Sequence, residues 1–344
     1  MLFERRRSMK RIFLLSLVVA ALLYSTVAGA EEFLNGAGAS FPAPVYQAWS
    51  YDYHKATGIK VNYQSIGSGG GQRQIMGRTV DFGASDEPLK PDKLSAEKLL
   101  QFPTLVGGVV PVVNIQGVKE GGLKMDSETL CRIYLGDIKF WDEPMIRNIN
   151  PEAKLPHNKI TVVHRSDGSG TTAIFTGYLS ETCPAFKKRV GEGKAVEWPM
   201  GIGGKGNEGV ANYVKQAANS IGYVEFAYAK QNKLAYTQLK NRSGNFVNPT
   251  FDAFEDAAAS GDFDPKKDFY VWLNDTPGKT AWPIAGATFI LLAKDKKEAT
   301  IRTVKFFDWA FKNGDGRAKD LTYVPLPKSL KDKIREYWKA NGIY

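Results

Sequence analysis

The chain has 344 residues, with 46 basic and 36 acidic side chains and only two cysteines. The basic surplus lies in scattered pairs, Lys187-Lys188, Lys266-Lys267 and Lys296-Lys297. That spacing excludes a basic block with interleaved aromatics of the kind that binds nucleic acid, and leaves a mild positive potential able to speed the arrival of a small anion. His54, His157 and His164 are the only histidines, which leaves little for a catalytic cysteine to work with.

Arg5, Arg6, Arg7, Lys10 and Arg11 precede an apolar run from Ile12 to Tyr24, and Ala28-Gly29-Ala30 stands just before Glu31. This is the pattern of a secretory signal peptide at residues 1–30, too short in its apolar part for a membrane span of about 20 residues. Cleavage after Ala30 leaves 314 residues with a net charge of about +6. No cysteine follows the site to carry a lipid, so an exported protein in free solution is expected. A chain of that length exceeds the roughly 250–300 residues one core serves, which predicts two lobes. Outside the cytoplasm Cys131 and Cys183 either pair or stay as separate buried thiols; sequence leaves both open.

Ser40 is the natural N-cap for a helix that opens with Pro42 and Pro44 and buries Val45, Trp49 and Tyr53 on one face. Lys60–Ser65 alternates as a strand, Gly67-Ser68-Gly69-Gly70-Gly71 reads as a loop, and residues 72–78 read as a helix. Val80–Ser85 is a short strand with Asp86 at its exit, before Pro88. Asp86 is read there either as a ligand acceptor or as an Asx-type cap. The valine-rich run 105–115 and the run 281–293 look like strands buried on both faces, able to cross between lobes. Strands at 160–164 and 221–225 and helices at 171–179 and 208–218 complete an α/β alternation. With no internal repeat or linker, the second lobe is expected as an insertion in the first, at 31–113, 114–283 and 284–344.

Arg165-Ser166-Asp167-Gly168-Ser169-Gly170-Thr171 places a fixed cation, hydroxyls and glycine-exposed amides between a strand and a helix. The first N–H groups of a helix carry partial positive charge and lack partners, and an arginine fork adds two donors, so this stretch suits an oxyanion. Ala39-Ser40-Phe41 and Gly67-Ser68-Gly69 repeat the hydroxyl-at-helix-start chemistry. Asp86 would accept the proton that phosphate retains near neutral pH and would repel sulfate, which has none to give.

The chain resembles the periplasmic phosphate-binding proteins of ABC importers, the PstS family. The resemblance runs through residues 36–46 (GAGASFPAPVY), 81–86 (DFGASD) and 167–171 (DGSGT), then 133–136, 203–207 (GGKGN), 221–225 and 305–309. It implies an α/β fold of the two-lobed periplasmic binding protein type (type II), with hinge strands crossing between lobes and a ligand cleft between them. It further implies phosphate contacts at Ser40, Phe41, Ser68, Asp86, Arg165, Asp167, Ser169, Gly170 and Thr171. Ser40 stands where a threonine is frequent, and the cysteine pair departs from relatives lacking it. A monomer without cofactor or metal is implied, working in the periplasm with inorganic phosphate, membrane permease subunits and their cytoplasmic ATPase. The rival readings are an exported phosphatase or serine hydrolase, a sulfate or molybdate receptor, and a surface adhesin. The enzyme reading has little support, since residues 38–42 lack the last glycine of a nucleophile elbow. Gly203–Gly206 lacks the hydroxyl residue that ends a P-loop.

Overall fold

The computed structural model describes residues 33–344; the segment read as a signal peptide lies outside the described residues. The chain begins with β1 (Phe33–Gly38), α1 (Ala43–Thr57), β2 (Lys60–Ser65), α2 (Ser68–Met76) and β3 (Phe82–Ser85). β1 pairs in parallel with both β2 and β3, the helices serving as the crossovers that parallel pairing requires. After α3 (Pro91–Ala96) comes β4 (Leu99–Asn114), buried along nearly its whole length.

The second region supplies β5 (Leu123–Met125), α4 (Ser127–Tyr134), α5 (Pro144–Ile149), β6 (Thr161–Arg165) and α6 (Gly170–Thr182). It continues through α7 (Pro184–Arg189), β7 (Ile202–Gly204), α8 (Gly206–Gln216), β8 (Ser220–Glu225) and α9 (Phe226–Gln231). Then come β9 (Ala235–Lys240), β10 (Phe246–Val247), α10 (Phe251–Ala259) and β11 (Leu273–Asn274). The return is made by β12 (Ile284–Ala293), α11 (Lys297–Asn313), α12 (Asp315–Asp320), β13 (Val324–Pro325) and α13 (Lys328–Ala340).

The strand order β2-β1-β3-β12-β4-β8-β6-β7 is continuous, and β4 divides it into two lobes. Its residues Leu99–Gly108 pair antiparallel with β12, while Val109–Asn114 pair antiparallel with β8. The run 281–293 enters as β12 from Ile284, and Trp282, just before it, donates its Nε1–H to Val109 O at 2.9 Å, at the crossover itself. β11 pairs with β12.

Each lobe closes on aromatic side chains. In the first, Phe307 meets Tyr46, Phe82 and Phe102 with ring centres 5.4–5.8 Å apart, and Tyr53 packs between Phe306 and Trp309. Val45, Trp49 and Tyr53 are buried, as their four-residue spacing predicts. In the second, Phe175 stacks on Tyr223 at 4.2 Å and meets Tyr134 edge-on. Full burial of such a side chain contributes roughly 1.5–3 kcal/mol before entropic costs. Cys131 in α4 and Cys183 at the end of α6 form a disulfide across this second core.

Two local expectations fail. Ser40 does not cap its own helix: α1 starts at Ala43 with Pro42 as N-cap, and no side chain supplies the cap bond. The glycine run is not a loop either, since α2 begins at Ser68 and Gly67 provides the turn at φ +81°. Gly71 lies so close to β1 and β3 that a Cβ there would come within 2.7 Å of Ala84 O. The glycines therefore let a helix lie against the sheet, and tertiary packing overrides their low helix propensity.

Candidate anion-binding site

β1, β2, β3, β6 and β7 run parallel within their sheets, so the helix starts that follow them gather where the two lobes meet. From the first lobe come Ser40 after β1, Ser68 at the start of α2 and Asp86 after β3. From the second come Arg165 at the end of β6, the loop 166–169, and the first turns of α6 and α8.

The hydroxyl groups cross the boundary. Ser68 Oγ receives Gly170 N–H, the first amide of α6, at 3.0 Å and Asp86 N–H at 3.1 Å. Ser40 Oγ receives Asn207 N–H, an early amide of α8, at 3.1 Å and Asn207 Nδ2–H at 2.8 Å. Thus each serine accepts from the unpaired N-terminal amides of a helix in the opposite lobe, the task expected of it toward its own helix. Gly69 N–H also donates to Gly168 O at 2.8 Å across the boundary. Only Ser169 caps locally, accepting Thr172 N–H at 3.0 Å.

Arg165 is buried, with a side chain 1% exposed, and is held by a two-pronged pair to Asp167 at 2.8 and 2.6 Å. Its Nη1 donates to Thr171 Oγ1 at 3.3 Å. Burial works against the Asp167 charge, but Arg165 and the Gly206 N–H at 3.0 Å hold its carboxyl below the usual range. The pair brings nearly no net charge, so attraction for an anion rests on oriented N–H and O–H groups, which do not have to reorganise when the ligand arrives.

Asp86 is fully buried at the centre. Burial pushes its carboxyl up to about 7, offset in part by Thr288 and the Arg165 charge. Oδ2 accepts from Ser68 Oγ at 3.4 Å, while Oδ1 makes no close hydrogen bond and the Thr288 hydroxyl near the carboxyl is likewise unpaired. A buried carboxylate oxygen without a close hydrogen bond is costly and marks a place for a donor. The Asx-cap reading fails, because Pro88, two residues on, has no N–H, and Leu89 N–H goes to Gln101 Oε1 at 2.7 Å.

Seven of the nine residues that the sequence singled out engage these lobe-facing groups through side chain or backbone, while Ser169 caps its own helix. Phe41 differs: its ring is buried against Tyr323, and its carbonyl receives the Tyr323 hydroxyl at 2.6 Å. Four further residues were missed: Asn207, Glu225, Tyr228 and Tyr323. Tyr228 donates to Ser40 O at 2.7 Å. Because Phe41 O takes the single Tyr323 hydrogen, the contact of 2.8 Å between Tyr323 and Glu225 Oε2 requires a protonated Glu225. Burial raises the Glu225 carboxyl well above its usual value, in agreement. A fourth helix start at Gly206-Asn207 was the available hint.

His164, the one histidine beside this loop, stacks on Trp198 at 5.2 Å and directs Nδ1 to Arg165 O, not to a serine. Among the described residues no three His, Cys, Asp or Glu side chains group as a metal site, and no helix is long and apolar enough to cross a membrane.

Two α/β lobes threaded by one strand, with polar groups from both facing each other across the boundary, define a two-lobed solute-binding protein. A family model described as a PBP superfamily domain matches residues 25–313. The phosphate-binding protein PstS of Pasteurella multocida is 51% identical over 333 residues, covering 96% of each chain. That of Haemophilus influenzae is 52% identical over 309 residues, covering 89% of this chain and 92% of its own. By these matches the chain belongs to the PBP superfamily and, within it, to the phosphate-binding protein PstS family, a family of binding proteins rather than enzymes. The fold is shared with a high-affinity periplasmic phosphate-binding protein solved with phosphate, at a TM-score of 0.68 and 22% identity, covering 88% of this chain and 93% of that one. It is also shared with a phosphate-binding protein from Stenotrophomonas maltophilia, at a TM-score of 0.65 and 20% identity, covering 88% and 93%.

Proposed function

We propose that this protein captures inorganic phosphate between its lobes and hands it to an ABC-type import complex, without covalent chemistry. The observation that carries this reading is Asp86 Oδ1, a buried acceptor with no close hydrogen bond amid hydroxyl and amide donors from both lobes. Phosphate near neutral pH has one O–H to give and several oxygens that accept, which complements such a set. Ser40, Ser169 and Thr171 supply hydroxyls, Phe41 supplies a backbone amide, Ser68 and Gly170 exchange their mutual bond for the ligand, and Arg165, oriented by Asp167, supplies the guanidinium edge. Asp86 takes the ligand's proton.

The lobes, taken as 31–113 with 284–344 and 114–283, contribute to one site, so ligand binding favours the closed form and lets a permease tell loaded from empty receptor. The partners in this reading are the permease subunits and their ATPase, the protein acting as a monomer in the periplasm after removal of residues 1–30. The names of the relatives support the ligand, and the periplasmic setting of solved neighbours supports the compartment.

Calorimetry on the exported chain, stripped of carried-over ligand, tests this. Tight phosphate binding that sulfate does not compete at pH 8, with a large loss in Asp86→Asn, is the expected result. Absence of phosphate binding would sink the reading.

A further inference from the structure

We infer that Asn207 is a positioning residue that sets the Ser40 and Thr171 hydroxyls as donors toward the ligand and ties closure of the lobes to that orientation. The inference rests on the phosphate-binding reading above and deepens it.

The orientation of the Asn207 amide is settled by its neighbours. Glu225 N–H points at Oδ1 from 2.8 Å, and a backbone N–H can only donate, so that atom is the carbonyl oxygen. The amide nitrogen then faces the other way, with one hydrogen for Ser40 Oγ at 2.8 Å and one for Thr171 Oγ1 at 3.1 Å. Asn207 is fully buried, so water does not compete for these bonds.

A hydroxyl has two lone pairs and one hydrogen. Ser40 Oγ uses both lone pairs on Asn207, one on the amide nitrogen and one on the backbone N–H at 3.1 Å. Thr171 Oγ1 uses both on Asn207 Nδ2 and Arg165 Nη1, the latter at 3.3 Å. Each hydroxyl hydrogen is left to donate, so neither oxygen can act as an acceptor toward a ligand. Asn207 thereby makes two site hydroxyls pure donors, suited to ligand oxygens, and leaves proton acceptance to Asp86. Ser40 belongs to the first lobe and Thr171 to the second. The arrangement is complete only when the lobes are together, since one carboxamide must reach both.

The test compares phosphate affinity of the native exported chain with Asn207→Ala and Asn207→Asp, alone and in a Ser40→Ala, Thr171→Val background. Melting temperatures without phosphate are read alongside. Asn207→Asp keeps the acceptor for Glu225 N–H, but its second oxygen takes hydrogens from both hydroxyls and turns them from the ligand. The expected order is native, then Asn207→Ala weaker by about tenfold, then Asn207→Asp weaker by at least a further tenfold. The gap between Ala and Asp should shrink severalfold in the background lacking both hydroxyls. Should Asn207→Ala fail to fold, the pH profile of Asn207→Asp decides. Its affinity relative to native should recover as pH falls, when the introduced carboxyl regains a proton to donate. Equal affinity of the Ala and Asp variants, a gap that persists without the hydroxyls, or a flat relative pH profile would overturn the inference. Failure of the native chain to bind phosphate would instead overturn the underlying reading.

Discussion

Ser68 Oγ lies 3.0 Å from Gly170 N, so a side chain of one lobe completes the first amide of a helix in the other. Gly170 has no room for anything more: a Cβ there would come within 2.5 Å of Ser68 Oγ and 2.6 Å of Asp86 Cβ. Replacing Ser68 by alanine removes the bridge and leaves two buried N–H groups without their acceptor. Phosphate affinity should fall about 10- to 100-fold, since losing the bridge between the lobes costs about 1–3 kcal/mol. Calorimetry on Ser68→Ala reads this, and unchanged affinity would remove Ser68 from the site.

Sulfate exclusion should depend on pH. Burial holds the Asp86 carboxyl at about 7; above that it is an anion that opposes sulfate, and below it the proton stays and can be donated. Competition by sulfate should therefore be absent at pH 8 and appear at pH 5, while Asp86→Asn, with a permanent donor, should accept sulfate at both. A native protein equally blind to sulfate at both pH values would contradict this.

The protonated Glu225 makes stability fall with alkalinity. Its folded carboxyl sits well above the unfolded value because it is buried, so its contribution is complete at low pH and is lost as pH rises through the folded value. Oε2 accepts Ala227 N–H at 2.9 Å while meeting Tyr323, a double role that a glutamine cannot reproduce with either of its end atoms. Glu225→Gln should cost about 1–3 kcal/mol at pH 6 and flatten the decline in melting temperature toward pH 9. Identical slopes for native and variant would show that another group titrates.

At the rim, Lys194 of the second lobe pairs with Glu87 of the first at 2.7 Å, both side chains partly exposed. Gln72 holds the same carboxylate at 3.0 Å. A pair of this exposure contributes about 0.2–1 kcal/mol and is screened by salt. Lys194→Met should weaken phosphate binding by no more than about fivefold, and less at 1 M NaCl than at 0.05 M. A larger loss, insensitive to salt, would place Lys194 among the ligand contacts.

The disulfide should matter for folding and not for the ligand. Cys131 and Cys183 are 52 residues apart and tie α4 to the far end of α6. A loop of that length constrains the unfolded chain by about 4 kcal/mol. Cys131→Ser with Cys183→Ser should lower the denaturation midpoint while phosphate affinity stays within about twofold. A tenfold loss of affinity would mean that the bond shapes the α6 start as well.

Local structure was readable along the chain: Arg165–Thr171 as a strand-to-helix turn, Asp86 at a strand exit, and the four-residue spacing that buries Val45, Trp49 and Tyr53. What escaped was the identity of partners distant in sequence. Ser40 looked like the cap of the helix that follows it, yet the amide it completes is 167 residues away. Nothing local to a serine tells near helix from far. Glu225 was read only as the end of a strand, because its neutrality depends on Tyr323 and Phe41, brought together by the return of the chain through β12. Asn207 sat in a recognised stretch, but its role needs three partners from separate elements. The glycine run was misread for the same reason, its helix existing only because β1 and β3 offer a surface close enough to require the absence of side chains.

The position of β12 sets an order on synthesis. It lies between β3 and β4, so the first sheet remains two unjoined pieces until residue 293 has been made. A nascent chain holding only the first 280 residues lacks the strand that zips its own beginning together, whereas β4, β8, β6 and β7 are all present by residue 225. The second lobe can therefore assemble while the first stays open. The half of the protein that starts first therefore finishes last, its delay carried in the topology.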